Sequence, residues 1–194
     1  MSLNNVNNTN AVREMAISNT NPSVLYASSV GSLFKSTDGG VNWTNSSTGL
    51  PGRTVTTVYV HPSSSDIAFV TVSGFGTPHV YKTVNGGASW TSISGNLPNS
   101  PANTFYVYYT GANQSTYFVG TDIGIFYSQD DGATWIETND GLPNIVMMHL
   151  DFQPLTNTLR VGTHGRGFMK HILMHLLRLN YLPLPGVFKP PELY

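Results

Sequence analysis

Charged side chains make up 10% of this 194-residue sequence, against roughly 25% in an average soluble protein. Each acid or base is therefore worth accounting for. Three stretches set a short polar side chain beside glycine and tryptophan: "STDGGVNW" (Ser36, Asp38, Gly40, Trp43), "TVNGGASW" (Thr83, Asn85, Gly87, Trp90) and "SQDDGATW" (Ser128, Asp130, Gly132, Trp135). Taken singly, Asp38 and Asp130 have the residue type of a general acid. Other short segments carry different chemistry. "TDIG" holds Asp122, "TNDGLPN" holds Asp140, "THGRG" holds His164 and Arg166, "SGFGTP" holds Phe75, and "GLPGR" holds Arg53. Two carboxylates such as Asp122 and Asp140 would suit hydrolysis if they faced each other across a cleft. A set of Arg, His, Asn and an aromatic ring suits a ligand rich in hydroxyls or amides, because these groups pair as both donor and acceptor.

Spacing separates these roles. The tryptophans Trp43, Trp90 and Trp135 recur at intervals of 47 and 45 residues, and each is followed by Leu-Pro (Leu50-Pro51, Leu97-Pro98, Leu142-Pro143). Before each comes an alternating run, "SLFKS", "HVYKT" or "GIFYS", and before that a second, "SVLYASS", "DIAFVTVS" or "TYFVGTD". "TLRVGTHGRGFMK" begins a fourth copy. A repeat of this length reads as a propeller or a solenoid. The Val, Tyr, Phe and Thr content with period-two alternation gives four short strands per unit, a to d, divided by Gly, Asn, Asp and Pro turns. The expected fold is all-β: a propeller of four-stranded antiparallel blades, three complete and a fourth with strands a, b and c. Residues 12–171 form the blades, 1–11 a lead-in and 172–194 an apolar, proline-rich tail.

The tryptophan motifs fall between strands c and d, where the chain must reverse. Glycine supplies positive φ there, and a short polar side chain accepts bonds from the turn's own amides. A feature repeated at equal spacing is expected to serve folding, so Asp38 and Asp130 are assigned to structure. These motifs resemble the Asp-box, or BNR repeat, Ser-x-Asp-x-Gly-x-Thr-Trp. That repeat occurs in sialidases, xyloglucanase-type glycosidases, sortilin-like receptors and a photosystem assembly factor. The third copy matches fully. The first has Asn42 for Thr, and the second substitutes Thr83, Asn85 and Ser89. The resemblance covers about residues 12–170 and implies the fold; function must be argued from a site.

Antiparallel parity puts the a–b and c–d turns on one face of the ring and the b–c and d–a loops on the other. In propellers the second face generally does the work. It would carry Asp122, His164, Arg166, Phe75 and Arg53, with Asn96, Asn99, Asn103, Asp140 and further asparagines in the d–a loops. A sialidase needs three arginines on its substrate's carboxylate and an Arg-Ile-Pro motif, which this sequence lacks. A xyloglucanase-like cleft needs paired carboxylates, and no sequence feature pairs Asp122 with Asp140. The leading expectation is a non-catalytic binding or scaffold module of an exported bacterial protein, with a glycan or protein ligand. A glycoside hydrolase, or a piece of one, is the alternative.

A formal net charge of −1 gives no pull toward nucleic acid or an anionic membrane. Without cysteine there is no thiol or disulfide chemistry. His171 and His175 would share a face if "HILMHLL" were a helix, but no third ligand has clear spacing, so no metal or cofactor is expected. Met147 and Met148 read as core. The start, "MSLNNVNNTN", has no signal-peptide pattern, so an exported protein would have had its signal removed or carry it upstream; the expected location is extracellular or periplasmic. Three blades and part of a fourth are few for a closed ring. The chain is expected to close as a small ring, to be part of a longer propeller, or to complete a ring with a second copy.

Overall fold

The structure, a computed structural model, describes residues 11–109, 115–138, 145–153, 158–165 and 167–172. Its regular elements there are fifteen strands and no helix. Blade 1 comprises β1 (Glu14–Ile17), β2 (Leu25–Ser29), β3 (Ser32–Ser36) and β4 (Thr44–Asn45). Blade 2 has β5 (Val55–Val60), β6 (Ala68–Val72), β7 (Val80–Thr83) and β8 (Thr91–Ser92). Blade 3 has β9 (Ala102–Tyr109), β10 (Ser115–Thr121), β11 (Gly124–Ser128) and β12 (Ile136–Glu137). Blade 4 has β13 (Met147–Gln153), β14 (Thr158–Thr163) and β15 (Gly167–Ile172). Strands within each sheet pair antiparallel in chain order. The expected count of three full blades and strands a to c of a fourth is what is found. The d strands are shorter than the sequence suggests, two residues each, and every tryptophan lies just before its d strand. His171 lies in a strand, not a helix.

Successive inner strands lie side by side: β1 on β5, β5 on β9, β9 on β13. β13 and β1 do not pack in this way. Each blade presents a leading face to the blade before it and a trailing face to the blade after. Tyr26 and Leu33 on the trailing face of blade 1 meet Val58, Val70, Tyr81 and Trp90 of blade 2. Phe69 and Val80 meet Phe105, Tyr117, Val119, Phe126 and Trp135 of blade 3. Tyr108, Phe118 and Ile125 meet Leu150, Phe152, Leu159 and Val161 of blade 4. Tyr26, Phe69 and Phe118 hold one register position, opposite Lys35, Lys82 and Tyr127. In blade 4 that position, opposite Lys170, is Arg160, and it is exposed. At that position the run of buried aromatic rings ends with blade 3.

Between inner strands the seam is polar. β5, β9 and β13 each carry a bulge near their start, at Thr56, Asn103 and Met148. Thr56 Oγ1 donates to the Ala102 carbonyl, and Thr57 Oγ1 donates to that of Asn103 at 3.0 Å. Leu150 N–H donates to Thr104 Oγ1 at 3.2 Å. The bulge also corrects the sequence reading of the two methionines. Met147 is fully buried, but the extra residue turns Met148 outward to 51% exposure.

The three Asp-boxes are one device. In the first, Ser36 Oγ donates to Asp38 Oδ1 at 2.8 Å and accepts from Gly40 N–H at 2.9 Å, while Asp38 Oδ1 accepts from Asn42 N–H at 2.8 Å. Thr83 and Asn85 repeat these bonds to Gly87 and Ser89. Ser128 and Asp130 repeat them to Gly132 and Thr134. The tryptophan then reaches the preceding blade. Trp90 Nε1 donates to Ser46 O at 2.7 Å, with its ring edge-on to Tyr26 at 6.1 Å. Trp135 Nε1 donates to Ile93 O at 2.9 Å. Gly49 and Gly95 let the chain approach these turns, since a Cβ at either would overlap a carbonyl oxygen, that of Trp90 or Ala133.

The amide bonds from Asn42 and then the hydroxyl of Ser36 hold Asp38 down to about 2. Those of Thr134 and Ser128 lower Asp130 in the same way. Both carboxyls have folded values below their unfolded ones. Their contribution is complete above the ordinary carboxylate range and disappears as pH falls through the folded value. Acidifying from about pH 5 to 2 should lower the melting temperature, with a smaller slope in Asp38→Asn and Asp130→Asn. Asn85 already makes the second box insensitive. Trp90→Ala, which empties the first seam, should cost about 3–5 kcal/mol in chemical denaturation.

Candidate functional site

The b–c loops break the symmetry of the repeat. Two residues join β2 to β3, two join β10 to β11 and three join β14 to β15, but seven, residues 73–79, join β6 to β7. A hairpin needs only two residues to reverse, so the extra length in blade 2 is not required by the fold.

That loop is held open by named contacts. Phe75 projects from it with 61% exposure. Arg53, from the loop leading into β5, donates from Nη2 to the Phe75 carbonyl at 3.4 Å. Gly74 lies against the Arg53 side chain. Gly76 N–H donates to Asn99 Oδ1 at 2.6 Å, tying the b–c loop to the d–a loop of the same blade. The same oxygen lies 3.4 Å from His79 Nε2. His79 is 3% exposed, and its backbone N–H donates to Ser94 Oγ at 2.9 Å. The equivalent residues in the other blades, just before the strand c position of Val80, are small: Ser32, Gly124 and Gly167. His79 Nδ1 and the hydroxyls of Thr77 and Ser100 are buried without a hydrogen-bond partner. Such groups are rare and costly. The rim of blade 2 therefore combines an exposed ring, a guanidinium, an amide and unsatisfied donors and acceptors.

Of the residues singled out in the sequence, the structure brings Arg53 and Phe75 together. Asp122 stands on blade 3, where its carboxylate accepts from Asn103 Nδ2 at 2.8 Å and its N–H donates to Pro101 O at 3.2 Å. Among the described residues its side-chain partner is an amide. His164 is exposed on blade 4, its N–H donating to Val146 O at 3.0 Å. Asp122 and His164 bond to neither Arg53 nor Phe75. Asp140 and Arg166 lie outside the described residues. The sequence reading missed His79, Thr77 and Ser100. The signal that would have found them is the loop length, since the stretch between "FVTV" and "VYKT" exceeds its counterparts in the other repeats.

Among the described residues no group of three His, Cys, Asp or Glu is arranged to hold a metal ion. Nor do the boxes supply acids to this face, because Asp38 and Asp130 are engaged in their own turns on the opposite one.

The family model described as "Sortilin, neurotensin receptor 3" matches residues 31–142. No curated protein matches the sequence. Among solved structures, an ancestral GH74 enzyme is similar with a TM-score of 0.64 and 22% identity, over 84% of this chain and 23% of that one. The extracellular domain of the putative hybrid two-component system BT4673 from B. thetaiotaomicron has a TM-score of 0.62 and 15% identity, over 82% of this chain and 20% of that one. YCF48 bound to D1 peptide has a TM-score of 0.57 and 18% identity, over 86% of this chain and 55% of that one. These likenesses are of fold. The chain spans about a quarter of the length of the GH74 structure.

Burial lowers the His79 pKa, with the Asn99 bond opposing it in part. A lowered histidine favours the neutral ring in the folded state. Its contribution is complete above the unfolded value, about 6.5, and falls as pH drops below it toward the folded value. Hydrogen-exchange protection of residues 73–79 should therefore decline from about pH 7 to 5. His79→Gln should flatten that decline. Burial also lowers His61, next to Tyr109, so a local readout is needed rather than a global melt.

Proposed function

The chain belongs to the Sortilin/Vps10 family of Asp-box propellers, and on that premise we propose that it is a non-catalytic binding module of an exported protein. Its ligand, a glycan or a protein surface, is taken on the face that carries the b–c and d–a loops. The observation that carries this reading is the seven-residue loop of blade 2, which exposes Phe75 and is tied to Arg53 and Asn99 through its backbone. An exposed ring offers apolar area at little entropic cost, and the guanidinium and amide beside it give directional bonds. Proteins of this architecture occur both as a GH74 enzyme and in complex with a peptide. One similar structure is named as an extracellular domain, which supports a location outside the cytoplasm.

The hydrolase alternative needs two facing carboxylates roughly 5–10 Å apart. Asp122 bonds to the Asn103 amide, and Asp140 lies outside the described residues, so turnover decides between the two readings. Completion of the ring by a second copy would set the exposed Arg160 side of blade 4 against the apolar leading face of blade 1. Light scattering tests this: a dimer supports a shared ring, and a monomer does not.

Glycan and peptide arrays followed by titration test the binding reading. The expected result is saturable binding without turnover, with Kd raised about tenfold or more by Phe75→Ala and by Arg53→Ala. Turnover of a polysaccharide that Asp122→Asn abolishes would replace this reading with the hydrolase one.

A further inference from the structure

A second feature lies on the axis, apart from the Phe75 rim. The four inner strands border a cavity of about 330 Å³. One residue of matched register comes to it from each of blades 1, 2, 3 and 4: Glu14, Thr57, Thr104 and His149. The next level contributes Tyr59, Tyr106 and Asp151, opposite Phe69, Phe118 and Arg160 in their sheets. Tyr59 and Tyr106 meet edge to face, their ring centroids 5.7 Å apart. Two carboxylates thus line the cavity from opposite ends of the arc, with two phenol rings between them. Among the described residues no lysine or arginine lines it. Arg160, the nearest cation by register to Asp151, is exposed and forms no ion pair with it.

We propose that this cavity binds an organic cation, an alkylammonium or guanidinium group, with Asp151 and Glu14 as counter-charges and the Tyr59 and Tyr106 rings as its wall. A bare metal ion fits poorly, since no three ligating side chains converge among the described residues. An organic cation matches both halves of the lining. Its charge pairs with carboxylates, and its alkyl stem and cationic head lie well against aromatic rings. The volume is at the small end for a ligand pocket, so it suits a polyamine segment or one lysine side chain rather than a folded element. Burial raises the Glu14 pKa, and the positive character of His149 opposes the rise. The charged form of Glu14 thus lacks the solvation that a bound cation would restore.

Calorimetric titration of the whole chain with spermidine, with Nα-acetyl-lysine methylamide and with glutarate tests this. Both cations are expected to bind and glutarate is not; the tighter cation identifies the source, a free polyamine or a peptide side chain. Asp151→Asn should raise Kd about tenfold, and Glu14→Gln should add to it. Arg160→Gln should lower Kd by removing a competing charge, an effect that loss of structure would not mimic. Phe75→Ala should leave it unchanged, which separates this site from the rim. Cation binding that survives the Glu14→Gln/Asp151→Asn pair, a Kd that Arg160→Gln leaves the same or raises, or no binding of either cation at about 10 mM would overturn the proposal.

Discussion

A turn that satisfies its own amides is what lets an indole cross from one sheet to the next. Within each box, a hydroxyl and a carboxyl or amide oxygen take the turn's N–H groups over a span of a few residues. The chain between these partners is short, so closing the loop costs little. The tryptophan is then presented in a fixed direction, and for Trp90 and Trp135 its N–H finds a carbonyl of the preceding blade. Individual hydrogen bonds contribute about 1 kcal/mol, whereas burying an indole contributes several times that. The box positions and the indole stabilises, so the polar residues matter mainly through the ring they aim. The same arrangement removes Asp38 and Asp130 from chemistry, since a carboxyl held at low pKa by its own turn is a poor proton donor at neutral pH.

The lysines of strand c add a second tie between blades. Lys35 Nζ donates to Gly86 O at 2.7 Å in the next box. In the following blade Lys82 instead meets the carboxylate of Asp131, which also accepts from the Tyr117 hydroxyl. Asp131 occupies the place of a box glycine and is, among the described residues, the sole non-glycine at positive φ. A backbone carbonyl in one seam is thus replaced by a side-chain carboxylate in another, with the geometry kept. Because Asp131 is well exposed, the ion pair adds little beyond orientation.

Function in a repeat fold is most visible where the repetition fails. Position for position, blades 1 to 3 share their boxes and apolar faces, and blades 2 and 3 share a bulged inner strand. Departures gather in two regions: the long loop of blade 2 with His79 behind it, and the axis, where Glu14 and His149 stand at the level of Thr57 and Thr104, and Asp151 at the level of Tyr59 and Tyr106. Folding alone asks for neither. A buried histidine with a free ring nitrogen and a half-buried Glu14 carboxyl, raised by burial, are both costs to stability that a bound ligand can offset.

The strand pattern was readable from the sequence because each unit is local. Alternation defines b and c, glycine and asparagine define the turns, and an equal interval between tryptophans defines the period. The number of blades and the structural role of Asp38 and Asp130 follow from those signals. The choice of Arg53 and Phe75 came from residue type and face, and the structure places them in one cluster. What spacing along the chain does not encode is which loops meet in space. Asn99 joins Gly76 across the gap between two loops, Asp122 bonds to Asn103, and a bulge turns Met148 outward while Met147 stays in the core. Residues as far apart as Glu14 and His149 share a cavity only because four sheets bend around an axis. That curvature arises from packing between sheets, so only the tertiary structure could decide it.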